Sequence, residues 1–257
     1  MAIVPSSRIA MPQGMAYGWW HFPEALVQDL TFDIEIVAGD ERSPGRYYQL
    51  YQGQIGGHGM YLGFQTHLMR PGIGWGGKGL LFSRWDTQNS EDAAPSPGGW
   101  MENSAHEGGF VGVRSVFEWG IGRYFCRLFP RDPDNVGVWY EYRVRRLSDD
   151  VEASPGALRF PFVKAQRPLI HSGGGSWTEV YRGAVAVEDV PFTQFDVRSL
   201  RANNNSLAPI RCDTGYNERF PLADSECTPQ GVLSLRSGHG VVRNHAAGQY
   251  LISPCGT

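Results

Sequence analysis

Tyr61-Leu62-Gly63-Phe64-Gln65-Thr66-His67-Leu68, residues 61–68, decides the fold. Side chains alternate faces along a strand. Leu62, Phe64, Thr66 and Leu68 therefore fall on one face, and Tyr61, Gly63, Gln65 and His67 on the other. The same pattern recurs down the chain. In residues 80–86, Leu81, Ser83 and Trp85 alternate with Phe82, Arg84 and Asp86. In residues 112–119, Val113, Ser115, Phe117 and Trp119 alternate with Arg114, Val116 and Glu118. In residues 139–145, Glu141, Arg143 and Arg145 oppose Tyr140, Tyr142 and Val144. Period-two patterning over short segments marks half-buried strands.

Working outward, some twelve such segments appear at short, fairly regular spacing. Turn signals at Gly56-Gly57, 72–77, 95–99, 120–122 and 130–134 separate them. The spacing predicts one all-β domain over residues 1–257, a two-sheet antiparallel sandwich of the jelly-roll or concanavalin-like kind. Residues 1–18 read as an irregular lead-in, and a short helix is expected within 19–29, where Pro23 sits near a helix start. Weak strands are expected over 231–236 and 240–243. Residues 148–155 offer the best linker, although the strands on either side read as one sandwich.

The 257 residues include 33 Gly, 17 Pro, 8 Trp, 11 Tyr and 13 Phe, a turn- and aromatic-rich composition that suits β structure. Lys and Arg total 23 against 26 Asp and Glu, a net charge of −3. No high basic excess of the nucleic-acid-binding kind is present. The densest basic run, Arg143, Arg145 and Arg146, reads either as a phosphate-binding patch or as a solvated strand face. No apolar run approaches the roughly 18 residues of a membrane span, so neither nucleic acid nor membrane is an expected partner. The first 20 residues lack a basic segment followed by an apolar one. They read as the start of a cytoplasmic chain or of the mature part of an exported one.

Of the four cysteines, Cys126 lies in apolar sequence and reads as a buried thiol. Cys212, Cys227 and Cys255 lie in loop-like sequence. A Cys212–Cys227 bridge would close a loop of about 15 residues and contribute about 3 kcal/mol; four reduced thiols are the alternative.

If the alternating strands are neighbours, their wet faces merge into one concave polar-aromatic surface. Sugars need that mixture: aromatic plates for apolar C–H faces, and planar Gln, Glu and Arg groups for hydroxyls. A sheet wetted on one face shows the same alternation without a ligand. The expected ligand is a glycan or polysaccharide. Trp85, Tyr61 and Trp119 are the expected platforms, with Trp119 the weakest because it shares the Phe117 face. Gln65, His67, Arg84, Arg114 and Glu118 are the expected polar groups. The enzyme alternative is a glycoside hydrolase or polysaccharide lyase with Glu118 or His67 as acid or base.

Hydrolysis needs two carboxyls about 5–9.5 Å apart, for which Glu118 with Glu141, or Asp33 with Glu35, are the options. A lyase would draw on His67, Tyr61 and Arg84. No cofactor is expected. The spacing of His58, His106 and Glu107 fits no standard metal motif, and Asp86, Glu91 and Asp92 are the one oxygen-rich cluster that would suit Ca²⁺. Gly173-Gly174-Gly175 reads as a flexible turn, and Asn204-Asn205-Ser206 matches the N-glycosylation triplet.

Four motifs together carry a resemblance: Gly59-Met60-Tyr61-Leu62-Gly63-Phe64-Gln65, Leu81-Phe82-Ser83-Arg84-Trp85-Asp86, residues 106–112 with Trp119, and Tyr140-Glu141-Tyr142-Arg143-Val144. Their order over residues 30–190 resembles an uncharacterised bacterial domain family with a G-Y-x-G-x-Q strand, an F-S-x-W-D strand and a G-G-E-G-x-G turn. Here that turn reads Glu107-Gly108-Gly109. The resemblance implies a jelly-roll module of the type found with extracellular carbohydrate-active proteins, and implies no reaction.

Overall fold

The computed structural model describes residues 13–39, 45–104, 108–182, 186–246 and 251–254. The strands in chain order are β1 (Gln13–His21), β2 (Leu26–Val27), β3 (Leu30–Ala38), β4 (Gly45–Ile55), β5 (His58–Thr66), β6 (Met69–Arg70) and β7 (Gly74–Trp75). They continue with β8 (Lys78–Trp85), β9 (Ala93–Pro95), β10 (Trp100–Ser104), β11 (Phe110–Val116), β12 (Gly122–Pro133), β13 (Gly137–Arg146) and β14 (Glu152–Pro161). The last are β15 (Ile170–His171), β16 (Gly174–Arg182), β17 (Thr193–Ala202), β18 (Arg211–Tyr216), β19 (Ala223–Cys227), β20 (Leu233–Ser237) and β21 (Leu251–Pro254).

Two antiparallel sheets pack as the expected sandwich. The first has the order β10-β11-β8-β5-β4-β16-β1-β18-β21, with β15 and β2 at its side. The second runs β19-β20-β17-β3-β12-β13-β14-β9. Between them lie the apolar faces read from the alternation, with Leu62, Phe64, Phe82, Val113, Tyr124, Tyr142 and Val144 all buried in one core. Among the described residues no helix is long and apolar enough to cross a membrane.

Several expectations change. Residues 19–29 hold no helix. Trp19, Trp20 and His21 end β1, which lies inside the first sheet between β16 and β18. A β-bulge between Gly14 and Tyr17 breaks the alternation there, which is why the segment reads as irregular. Residues 240–243 form no strand. The linker expected at 148–155 is the β13–β14 turn and the start of β14, paired with β13. Gly174 and Gly175 begin β16 and are buried, so the glycine run is not a free turn. Gly56 and Gly57 do form a turn: Ile55 pairs with His58, and φ is 58° and 88° at the two glycines. A two-residue hairpin with both φ positive fits glycine at low cost.

Cys126, Cys212 and Cys227 are all buried, and the Cys212–Cys227 bridge is not formed. Cys212 packs from β18 of the first sheet and Cys227 from β19 of the second. Cys255 lies outside the described residues.

Candidate functional site

Register across the first sheet places side chains in rows. One row runs Glu102, Gly112, Ser83, Tyr61, Gln52, Gly175, Trp19, Asp213. The next runs Trp100, Arg114, Leu81, Gly63, Gln49, Trp177, Tyr17. A third brings Gln65, Tyr47 and Glu179 side by side. All these residues lie on the face turned away from the second sheet. Small residues (Gly112 beside Ser83 in the first row, Gly63 in the second) lie between large ones, so the surface is hollowed. A cleft of about 380 Å³ opens there, walled by Tyr61, Trp85, Glu102, Arg114, Trp177 and Glu179 and floored in part by Gln49, Gln52 and Tyr47. A second cavity of about 330 Å³ adjoins it, sharing Trp177 and Glu179 and adding Tyr17 and Trp19.

A buried polar chain holds the floor. Arg114 donates from Nε to Glu102 and from Nη1 to Gln65 Oε1 (3.0 Å). Gln65 Nε2 donates to the Tyr181 hydroxyl (2.7 Å), which has the Thr66 and His67 carbonyls as acceptors at 2.7 and 2.6 Å. Tyr47 stacks on Tyr181 at 4.3 Å and meets Tyr61 edge-on at 6.3 Å. Burial pushes the Tyr47 phenol well above its ordinary range and Tyr181 up to about 12, so both stay protonated donors. Burial works against the charge on Arg114, but Tyr47 and Glu102 outweigh it and lift its pKa above the ordinary value. Gln49 Oε1 is buried and has no hydrogen-bond partner among the described residues.

The rings of the two cavities share one device. A side chain added at Gly175 would meet the Trp19 ring at 2.8 Å, one at Gly59 the Trp85 ring at 3.0 Å, and one at Gly215 the Tyr17 ring at 2.7 Å. Each ring rests against the backbone of a neighbouring strand, where only glycine leaves room.

Of the residues expected from sequence, Tyr61, Trp85 and Arg114 meet in the cleft, and Gln65 lies beneath it. The others do not. Arg84 points into the sandwich, 5.3 Å over the Phe160 ring and 3.3 Å from Asp92; it follows the parity of Phe82, opposite to Trp85. Trp119 is buried between Tyr48 and Phe64, its Nε1 donating to the Gln65 and Gly79 carbonyls. Glu118 falls two residues past the end of β11; burial still alternates there, with Phe117 and Trp119 buried and Val116 and Glu118 exposed, but Glu118 lies outside the cleft lining. His67 follows β5 with φ of 54° and stacks on Trp75 at 5.8 Å, clear of the cleft. Partial burial, then Arg182, pulls its imidazole below the ordinary 6.5.

The proposed acid–base sets dissolve with these placements. Glu141 sits on the second sheet, held by Arg143 at 2.8 Å and Arg131 at 3.6 Å, so it does not face Glu118. Asp33 and Glu35 pair with Arg123 (2.5 Å) and Arg198 (2.7 Å) on the outer face of the second sheet. Tyr61, His67 and Arg84 do not converge. Asp92 bonds Arg159 (2.9 Å), Arg84 and Thr87 (2.9 Å), so cations and a hydroxyl occupy the oxygens expected to suit Ca²⁺. Glu91 and Asp86 stay exposed. Among the described residues no group of three or more His, Cys, Asp or Glu side chains is placed to hold a metal. His58 stands 4.0 Å from Asp86; its companions His106 and Glu107 lie outside the described residues. Asn204 is exposed in a turn, its backbone N–H bonded to Asp29.

Sequence reasoning missed Glu102, Gln49, Gln52, Trp177, Glu179 and Trp19. Trp177-Thr178-Glu179-Val180-Tyr181 carries the alternation in plain form. Gln49 and Gln52 share a face only because a bulge lies between Gln49 and Tyr51.

The sequence matches no family model and no curated protein. The structure is similar to two crystal structures of scytalido-glutamic peptidase. One, with a peptide-based transition-state analogue, has a TM-score of 0.43 and 7% identity and covers 91% of this chain and 100% of that one. The other, with a transition-state analogue inhibitor, has a TM-score of 0.40 and 6% identity, covering 89% and 98%.

Proposed function

We propose that the chain binds carbohydrate along the cleft on the outer face of the first sheet. The supporting observation is the seating of Trp85, Trp19 and Tyr17 on glycines: a ring backed by a strand offers its other face outward. An apolar C–H face of a sugar stacks on such a plate, while hydroxyls need planar polar groups beside it. Gln52, the Glu102–Arg114 pair and the unpartnered Gln49 Oε1 supply those groups. Strands β8 to β1 are four intervals apart, about 19 Å at roughly 4.8 Å each. The two joined cavities therefore suit an oligosaccharide rather than a single sugar.

The test is calorimetry with a panel of soluble oligosaccharides chosen from a glycan array. One should bind the wild type, and Trp85→Ala should weaken it about tenfold or more, the loss of about 1.4 kcal/mol, with an unchanged circular dichroism spectrum. Failure of every glycan to bind, or full affinity in Trp85→Ala, overturns the reading. Release of reducing ends or of an unsaturated product during the same incubations replaces binding with catalysis.

A further inference from the structure

The outer face of the second sheet carries a different chemistry. Arg127 on β12 and Arg143 on β13 are direct cross-strand partners, and Arg127 aligns through Thr31 with Arg201 on β17. Like charges placed directly opposite one another destabilise a sheet. Arg143 is offset by Glu141 and Arg145 by Asp150, whereas Arg127 has no carboxylate partner among the described residues. Its guanidinium lies 5.1 Å over the Phe129 ring, which Arg143 also approaches at 5.4 Å, and Arg145 lies 5.7 Å over Phe125. A guanidinium stacked on a ring is held in orientation while its N–H edge stays available. The three guanidiniums, the two rings and Glu152 line one cavity of about 250 Å³.

We infer that this cavity is a second ligand site, taking the tetrahedral oxyanion of a sulfate or phosphate ester. Such an anion relieves the Arg127–Arg143 repulsion and accepts from several N–H edges at once, as guanidiniums favour. The site lies on the sheet opposite the cleft and does not depend on it.

The test follows arginine Nε–Hε resonances by NMR during titration with sodium sulfate, sodium phosphate and sodium chloride at matched ionic strength. Sulfate or phosphate should shift the Arg127, Arg143 and Arg145 signals saturably, and chloride should not. Arg127→Gln should weaken the binding about tenfold, and Arg127→Lys, which keeps the charge and loses the fork, by less. Trp85→Ala should leave it unchanged. Shifts that fail to saturate, that chloride reproduces, or that survive Arg127→Gln overturn the inference. A hexose sulfate and a hexose phosphate then separate the two sources, the tighter naming the ester.

Discussion

Arg114 connects Glu102, on the neighbouring strand, to Gln65, two strands away on the other side. It is buried, so removing it strands a carboxylate and an amide beneath the cleft. Breaking a buried charge pair from one side costs about 3–5 kcal/mol. The Glu102 side chain is 37% exposed, so water recovers part of that, and Arg114→Ala should lower unfolding free energy by about 2–3 kcal/mol in urea titration. A loss under half of that would show the chain to be dispensable. His67 offers a pH test. Its pKa is lowered in the folded state by burial and Arg182, and returns to about 6.5 on unfolding. Between those values the unfolded chain binds more protons, so this group's contribution to stability falls as pH drops from 6.5 through the lowered pKa, and is constant above. Arg182→Gln should raise the His67 pKa in an NMR titration; an unmoved pKa removes Arg182 as a cause.

At the scale of strands, alternation reads correctly wherever a strand is regular. β5, β8 and β11 put Tyr61, Gln65, Trp85 and Arg114 on one face as their parity requires. It fails at irregularities that carry no residue-type signal, the bulges in β1 and β4; past Val116 the parity persists but pairing with β8 ends, which leaves Glu118 beyond the cleft. Arg84 was legible by parity, since it shares Phe82's face, but a charged side chain does not suggest an interior position until its partner Asp92 is known. Central placement of β1 is set by pairing with β16 and β18, both distant in sequence, and local pattern cannot encode it. The glycine seats show what register adds. Gly59→Val should push Trp85 off its strand, because even a Cβ there sits 3.0 Å from the ring. Overpacking of this kind costs about 1–3 kcal/mol. Tryptophan fluorescence should change and glycan affinity should fall; retention of both would mean the ring does not rely on its seat.

Across the whole molecule, the two sheets are joined at one end by ions as well as by hydrocarbon. Asp92 belongs to the segment between β8 and β9. It accepts from Arg159 of β14 in the second sheet (3.1 and 2.9 Å) and pairs with Arg84 of β8 in the first (3.3 Å). Arg84 also donates to the Arg159 carbonyl. The carboxylate is thus shared by cations from both layers, and Arg84 is only 4% exposed. Burial pulls the Arg84 pKa down and the neighbouring Arg159 adds to that pull, with Asp92 acting against it. Arg159 retains Asp134 at 3.2 Å when Asp92 is lost, whereas Arg84 has no second carboxylate in ion-pair contact among the described residues. Asp92→Ala should therefore act through the uncompensated Arg84, at about 3 kcal/mol. For a chain of this size that lowers the melting temperature by roughly 6–12 °C. Arg84→Met in the same background removes the stranded charge while keeping bulk over Phe160, and should restore much of the loss, since apolar replacement of a buried pair is often near neutral. A double variant as unstable as Asp92→Ala would mean that Asp92 matters as a loop anchor through Thr87, and that the sheets are held together by packing alone.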